Sequence, residues 1–344
     1  MDISKLLHLQ NRIVPEMLEK LNKRYELLSS IKLRQPIGRK SLCEEVGLSE
    51  RKLRTECEIL SNLGLISKNS AGMSITFEGE GVLKELGQIF VEDPFLHIRK
   101  KIKEYFGIKD IYVVKGDFNK SEITRKLMVR LLLDKVNNLL TKECVIGVSG
   151  GTTMHYLAKN VDKTFGYGKD VMITPIRGGF SASKNSWQSN YIATRFGINS
   201  NHKYQLLHAP DNLKETTLDE LKKEPIMKQS LSIINKSSII IHSIGGAFEM
   251  AERRKLPTET MEILKEKKAI SETFGSFYNK EGKIVYSICT VGMDIEDVQK
   301  VADIFTIVGG AEKGDAVLSY LNSKPKNATF IIDESICKKI LTKI

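Results

Sequence analysis

The first thirty residues carry leucine, isoleucine, valine and methionine side chains at helical spacing. Apolar positions recur every three or four residues from Ile3 to Ile31, which predicts amphipathic helix. Pro15 interrupts the stripe, and because proline lacks a backbone N–H, it predicts a kink or the start of a second helix. Such a stripe is typical of a buried core or a dimer contact, and it assigns no chemistry to these residues.

Two shorter helices joined by a tight corner are predicted next. Leu42 and Val46 lie four residues apart on the first helix, and Gly47 ends it because glycine adopts the left-handed backbone of a sharp corner. Ser49 is predicted to cap the second helix, its hydroxyl accepting a backbone N–H that has no partner within the helix. The side chains predicted to face inward from the second helix are Leu53, Cys57, Leu60 and Leu63.

A short hairpin is predicted after these helices. Apolar and polar residues alternate on both sides of the turn-forming segment 69–72, as in the wing of a winged helix. The order of corner, basic helix and hairpin favours a winged helix-turn-helix over the alternative, a purely structural helical bundle. This DNA-binding region is called the reader below. Its predicted DNA contacts are Arg39, Lys40, Ser49, Arg51, Lys52 and Arg54.

The small size of one reader indicates that more than one copy binds the DNA. A single helix and wing make too few contacts for high specificity. We therefore expect a dimer or larger assembly on double-stranded operator DNA with repeated half-sites; the family resemblance described below implies a homodimer or homotetramer.

The sequence pattern changes at about Arg99, where short apolar runs begin to alternate with helical segments. Most runs are followed by glycine or polar turns and then a helix, which predicts a Rossmann-like, mostly parallel α/β sheet. We expect a linker near residues 94–100, which gives a DNA-binding domain at 1–95 and an effector domain at 96–344. The predicted strands are Ile111–Val114, Val145–Val148, Val171–Pro175, Gln205–His208, Ile239–Ile244, Lys283–Ser287, Phe305–Val308 and Thr329–Ile332.

Three strand-to-helix loops have a composition suited to an anion. The segment 150–153, Gly-Gly-Thr-Thr, lets the backbone approach a ligand at a helix N-terminus, where the dipole favours negative charge. Arg177 offers a guanidinium for bidentate phosphate binding, and Lys313 follows a glycine pair in the third loop. The first loop is neither a Walker A nor a GxGxxG motif, so a dinucleotide is not indicated. Each loop alone could be an ordinary turn, and the three together favour a phosphorylated ligand.

The charge distribution adds one feature to these predictions, and it lies in the first domain. The formal net charge is +11, yet residues 1–98 hold 14 basic and 14 acidic side chains. The excess beyond residue 98 fits anionic ligands or dispersed surface lysines equally well. Within the first domain, residues 20–54 hold ten basic and four acidic residues, which indicates a basic stripe on the reader.

Cysteine and histidine usage argues against a metal centre. The five cysteines include no CxxC pair and the six histidines are scattered, so neither a disulfide framework nor a metal site is expected. We expect no cofactor. The chain has no apolar run of eighteen residues and no signal-peptide pattern, which predicts a cytoplasmic protein without a membrane partner.

The order of several motifs carries a family resemblance. The blocks GVSGGTTM, PIRGGF, HSIGGA, SETFGSFYN and VGGAEKGDAV resemble the SorC family of sugar-sensing transcription regulators, and QPIGRKSL with GLSERKLR extends the likeness into the reader. The resemblance implies a winged helix joined to an effector domain of the sugar-isomerase/deaminase type. It also implies a repressor of a central glycolytic operon, relieved by fructose-1,6-bisphosphate or a related sugar phosphate.

The resemblance also assigns an effector site. It implies one phosphate on the glycine-threonine loop with the lysine, further anionic groups on two arginines, and sugar hydroxyls on a glutamine and a glutamate. The family pattern has an acidic residue where this chain has Gly246, which removes one expected hydroxyl contact. The residues so assigned are Gly150, Gly151, Thr152, Thr153, Arg177, Gln188, Arg253, Glu272 and Lys313.

The alternative is an enzyme, a sugar-phosphate isomerase or deaminase with an appended interaction domain. Such chemistry needs a carboxylate base beside the sugar carbon. Glu249 and Glu272 are the candidates, and their simpler interpretations are a helix-surface charge and a hydroxyl ligand. Because glycines replace the expected acid-rich loop at 245–246, we expect a regulator with no catalytic residue.

Overall fold

The structure, a computed structural model, describes residues 14–46, 48–89, 95–179, 186–210 and 214–344. The chain divides into two units, Met1–Leu96 and His97–Ile344, and each has a hydrophobic core of its own. The predictions for residues 3–13 and for Gly47 lie outside the described residues.

The described part of the first unit consists of helices and one hairpin. Its first helix begins at Pro15. The first N–H groups of a helix form no hydrogen bond within it, so proline costs nothing at this position. The proline therefore starts this helix and does not kink it. The elements are α1 (Pro15–Arg34), α2 (Arg39–Val46), α3 (Glu50–Asn62), β1 (Ile66–Asn69), β2 (Gly72–Ile75) and α4 (Phe77–Ile89).

The core of the first unit joins α1 to the two reader helices. Leu42 of α2 and Leu53, Cys57 and Leu60 of α3 are at most 1% exposed, as their spacing predicts. Leu63 is 57% exposed, and the prediction that it faces inward was wrong. The reason is local, because α3 ends at Asn62 and the chain turns away from the helix face through Gly64.

Two details of the reader differ from expectation. Ser49 occupies the N-cap position of α3 in an extended conformation, but its hydroxyl accepts no hydrogen bond from the helix. A third segment pairs with the hairpin of the wing, because Ile37 forms two backbone hydrogen bonds with Met73, of 3.0 and 2.9 Å. The segment between α1 and α2 therefore anchors β2.

The second unit contains a seven-stranded parallel sheet and a four-stranded antiparallel sheet. The parallel sheet has the order β3-β13-β12-β7-β4-β5-β6, and the antiparallel sheet has the order β11-β10-β9-β8. The strands are β3 (Asp110–Val114), β4 (Glu143–Val148), β5 (Asp170–Pro175), β6 (Lys203–Tyr204), β7 (Ile239–His242), β8 (Gly245–Gly246), β9 (Ser271–Thr273), β10 (Ser276–Tyr278), β11 (Ile284–Ser287), β12 (Asp303–Val308) and β13 (Ala328–Asp333).

Helices connect these strands. They are α5 (Leu96–Phe106), α6 (Glu122–Asn137), α7 (Thr152–Asn160), α8 (Ser189–Ser200), α9 (Glu215–Lys223), α10 (Pro225–Ile234), α11 (Ala247–Arg253), α12 (Thr258–Glu266), α13 (Ile295–Lys300), α14 (Gly314–Asn322) and α15 (Glu334–Leu341). Helix α5 starts inside the region where a linker is predicted, so the linker is shorter there than expected.

The predicted parallel α/β fold is confirmed, with two local differences. The strand expected at Gln205–His208 is absent, and the short β6 lies just before it. The run predicted at Lys283–Ser287 is a strand, but it belongs to the antiparallel sheet. That sheet packs with α11 and α12 around a small separate core that includes Leu264 and Phe277.

The topology brings four loops to one edge. Strands β4, β5, β7 and β12 run parallel, so their carboxyl ends lie on the same side of the sheet. The loops that follow them are therefore neighbours at that edge, where ligands of such folds bind.

Candidate functional site

The loop after β4 begins the site. Gly151 is the N-cap of α7, and its φ of +125° is a conformation that favours glycine. Gly150 has no side chain, and the Trp187 carbonyl occupies the space that a Cβ atom would need. The Gly151 N–H donates to that carbonyl at 2.8 Å, so this amide is already used. The amides at the start of α7 remain without intrahelical acceptors, and Thr152 lines the space in front of them.

A cavity of about 530 Å³ lies at this edge of the sheet. One side is formed by loops of the parallel sheet, and the other by α11, β9 and the turn after β9. The predicted effector residues that line it are Gly150, Gly151, Thr152, Arg177, Gln188, Arg253, Glu272 and Lys313.

Thr153 is the predicted residue that does not line the cavity. Its side chain is 1% exposed, and its Oγ1 has no hydrogen-bond partner in the part of the chain that the structure describes. Successive helical residues point about 100° apart, so Thr152 faces the cavity while Thr153 turns into the core.

Arg177 is held firmly in the cavity wall. Its Nη2 donates to the Ile288 carbonyl at 2.8 Å, and its backbone pairs with Gly292. Gly275, at φ +74°, packs so closely that a Cβ atom there would overlap the guanidinium. The guanidinium is thus preorganised by the antiparallel sheet.

We expect Gly275→Ala to abolish anion binding at this cavity, although Gly275 does not line it. The new methyl group would displace Arg177, and the left-handed backbone adds strain of about 1–2 kcal/mol. Calorimetric titration with a sugar phosphate measures the loss. Gly168→Ala, at φ +75° with nothing within 4 Å of the added Cβ and outside the cavity lining, is the control for backbone strain alone; equal binding losses in both variants would contradict the role given to Arg177.

Lys313 and Arg253 form a positively charged side of the cavity. Burial lowers the pKa of Lys313, and the Arg253 guanidinium acts in the same direction, whereas the Glu249 and Glu312 carboxylates oppose it. Within the described part of the chain, no carboxylate lies within ion-pair distance of the Lys313 ammonium. An anion would therefore be stabilised strongly here, because it compensates a desolvated positive charge.

Glu272 is a buried acceptor in the opposite wall. It is 4% exposed, and its Oε1 accepts from Arg254 Nη2 at 3.2 Å and from the Gly275 N–H at 2.6 Å. A carboxylate fixed in this way suits sugar hydroxyls and repels phosphate. The second arginine of the MAERR segment, Arg254, was missed by the sequence interpretation, and it lines the cavity beside Arg253.

A neutral histidine lies behind the cavity. His242 is fully buried, and burial lowers its pKa to about 3. Its two ring nitrogens lie 2.9 and 2.7 Å from the hydroxyls of Thr273 and Thr306. The ring of Phe274, which lines the cavity at φ +54°, is tilted over the imidazole with centroids 4.3 Å apart. These contacts fix the turn that carries the cavity wall.

The reader presents a separate basic surface. All six predicted DNA contacts are exposed. Three other cations of the 20–54 stripe, together with the predicted contact Arg54, form ion pairs: Arg24, Lys32, Arg34 and Arg54 pair with Glu56, Glu80, Glu45 and Glu58 at 2.8–3.2 Å. Among the described residues, the predicted contacts without an ion pair are Arg39, Lys40, Arg51 and Lys52.

No group of three or more histidine, cysteine or acidic residues in the described ranges could hold a metal ion. Of the helices that the structure describes, none is long and apolar enough to span a bilayer.

Comparison with protein families divides the chain as the structure does. Residues 21–90 match the family model described as the CggR N-terminal DNA binding domain. Residues 94–342 match the Sugar-bind model, which describes a sugar-binding domain.

Similar proteins cover the full length. The chain is 32% identical over 338 residues to the "Central glycolytic genes regulator" of Priestia megaterium, with 98% of each chain covered. It is 31% identical to the protein of the same name from Bacillus subtilis, covering 98% of this chain and 99% of the other.

Solved structures share the fold. A SorC family transcriptional regulator from Enterococcus faecalis superimposes with a TM-score of 0.66 at 33% identity, over 71% of this chain and 99% of that one. The full-length sorbitol operon regulator SorC from Klebsiella pneumoniae covers 89% of this chain and 94% of its own, with a TM-score of 0.63 at 17% identity.

Proposed function

This chain belongs to the family of the central glycolytic genes regulators, and from that premise we propose that a phosphorylated sugar bound in the 530 Å³ cavity relieves its repression of a central glycolytic operon. It is a DNA-binding transcription regulator with a sugar-binding domain, and it is not an enzyme. The proposed effector is fructose-1,6-bisphosphate or a close relative. The proposed location is the cytoplasm.

One observation carries the choice of effector class. Lys313, Arg177 and Arg253 converge on one cavity at the N-terminus of α7, and the lysine is desolvated with no ion-pair partner among the described residues. This arrangement favours a multiply charged anion over a neutral sugar. Gln188 and the fixed Glu272 supply polar contacts for hydroxyl groups, which favours a sugar phosphate over inorganic phosphate.

The enzyme alternative lacks a suitably placed base. Glu272 is engaged by Arg254 and by a backbone N–H, and Glu249 is bound to Arg253. Neither carboxylate is left poised to accept a proton from a sugar carbon.

Repression requires coupling between the effector cavity and the reader. We propose a homodimer or homotetramer that holds at least two readers in register on the operator. The effector must bind the conformation that is incompatible with tight DNA binding more strongly than the conformation that permits it.

The first test is thermal stabilisation with a panel of sugars and sugar phosphates. A ligand at a hundredfold excess over its Kd stabilises the folded state by about 2.7 kcal/mol. We expect fructose-1,6-bisphosphate to raise the melting temperature and unphosphorylated fructose to leave it unchanged. Thr152→Ala should reduce the shift, while Thr342→Ala, remote on the C-terminal segment, should not.

The second test is a DNA titration with and without saturating ligand. The expected result is lower operator affinity or lower cooperativity in the presence of fructose-1,6-bisphosphate. Identical titration curves would reject it as the inducer. If a monophosphate alone stabilises the protein, the effector is that monophosphate.

A further inference from the structure

The two charged residues of α11 that line the cavity are bound to each other. Arg253 Nη2 donates to Glu249 Oε1 at 2.6 Å, one helical turn apart. The same guanidinium lies over the Trp187 ring, 4.7 Å from its centroid. An arginine expected to bind an anion is therefore already paired with a carboxylate of its own helix.

The Glu249 carboxylate also acts on Lys313. Among the charges that influence the pKa of Lys313, Glu249 is the strongest that favours the ammonium form. One carboxylate thus partly neutralises both cations on this side of the cavity. It is a negative charge in the cavity lining that would repel an incoming phosphate.

Glu249 is able to leave this position. Its side chain is 52% exposed, so it can turn into solvent without burying a charge. Solvent-accessible ion pairs four residues apart on a helix are weak, so a multiply charged ligand can displace the carboxylate from Arg253.

We propose that Glu249 is an internal counter-ion that occupies Arg253 in the ligand-free protein and raises the concentration at which an anionic effector binds. This inference rests on the proposed function, since it requires a phosphorylated ligand in the cavity. The ligand must break the pair with Arg253 and then remain near a repelling carboxylate. Weakly charged anions are disfavoured most, because they gain less from Arg253 and Lys313 in return.

The test compares the full-length protein with Glu249→Gln, which keeps the side-chain size and removes the charge. Calorimetric titration with fructose-1,6-bisphosphate and with inorganic phosphate is expected to show tighter binding by roughly 3- to 10-fold, a gain that shrinks at high salt. Glu252→Gln is the matched control, because Glu252 lies exposed on the same helix and does not line the cavity. Its affinity should equal that of the wild type.

A second measurement separates a counter-ion from a simple helix-stabilising residue. Without ligand, Glu249→Gln should melt at a lower temperature than the wild type, because Arg253 and Lys313 lose their counter-charge. Saturating fructose-1,6-bisphosphate should remove or reverse that difference. Equal destabilisation with and without ligand, at unchanged affinity, would overturn the inference.

The remaining outcomes distinguish the inference from the proposed function. Weaker binding by Glu249→Gln would mean that the carboxylate contacts the ligand directly, which rejects the counter-ion role and leaves the effector assignment intact. Binding detected only in Glu249→Gln would support the inference. If neither protein binds a phosphorylated sugar or inorganic phosphate, the effector class and the counter-ion role both fail.

Discussion

Lys313→Met is expected to lose effector affinity while the ligand-free protein keeps or gains stability. The lysine is half-buried and has no ion-pair partner in the described chain, so its desolvated charge opposes folding until an anion binds. Methionine has a similar length and no charge to desolvate. Loss of one buried charge-assisted contact corresponds to about 2–4 kcal/mol, or roughly 30- to 1000-fold in Kd.

The direction in which pH changes the free energy of unfolding follows from the pKa of Lys313. The folded-state pKa of Lys313 is lowered, so the unfolded chain binds this proton more tightly than the folded chain does. The destabilisation is fully present below the folded-state pKa, and it is relieved as pH rises towards the ordinary lysine value. At neutral pH the free energy of unfolding of Lys313→Met should therefore equal or exceed that of the wild type.

Chemical denaturation and calorimetric titration measure the two effects separately. Lys326→Met, at an exposed position outside the cavity, is the control and should change neither quantity. A variant that loses stability but binds fructose-1,6-bisphosphate normally would show that Lys313 has a structural role instead.

The parallel sheet was predictable because its strands are nearly continuous apolar runs. Strands β4, β7 and β12 are buried along most of their length, and their sequences show it. The small antiparallel sheet gives a weaker signal. Its strands β8 and β9 are two and three residues long, and β8 consists of glycines without side chains to form a pattern.

The glycine loops and their cations were predictable for a similar reason, since each loop is contiguous in sequence. The contacts that hold these cations in place were not predictable from the sequence. Arg254 meets Glu272 across eighteen residues, and Trp187 meets Arg253 across sixty-six. Such pairs depend on how the antiparallel sheet folds over the cavity, and no local pattern records them. The assignment of Thr153 shows a related limit, because adjacent threonines look equivalent until the helix phase is known.

The second large effect is expected at the reader. Replacing Arg51 and Lys52 together by alanine should weaken operator binding by roughly 10²- to 10⁴-fold at physiological salt, because two readers of the proposed dimer would lose four cations in all. Both side chains are exposed near the start of α3, and alanine favours helix, so the fold should be retained. Fructose-1,6-bisphosphate binding should be unchanged, since neither residue lines the cavity.

The salt dependence identifies what the two residues contact. Each lost phosphate contact lowers the slope of log affinity against log salt by about 0.9, so four lost contacts should reduce it by about 3–4. Arg54→Ala should have a smaller effect, because Arg54 is bound to Glu58 in the DNA-free protein. Lys84→Ala, an exposed cation of α4, is the control. If the double variant keeps the wild-type slope but no longer discriminates operator from unrelated DNA, Arg51 and Lys52 contact base edges and other cations hold the phosphates.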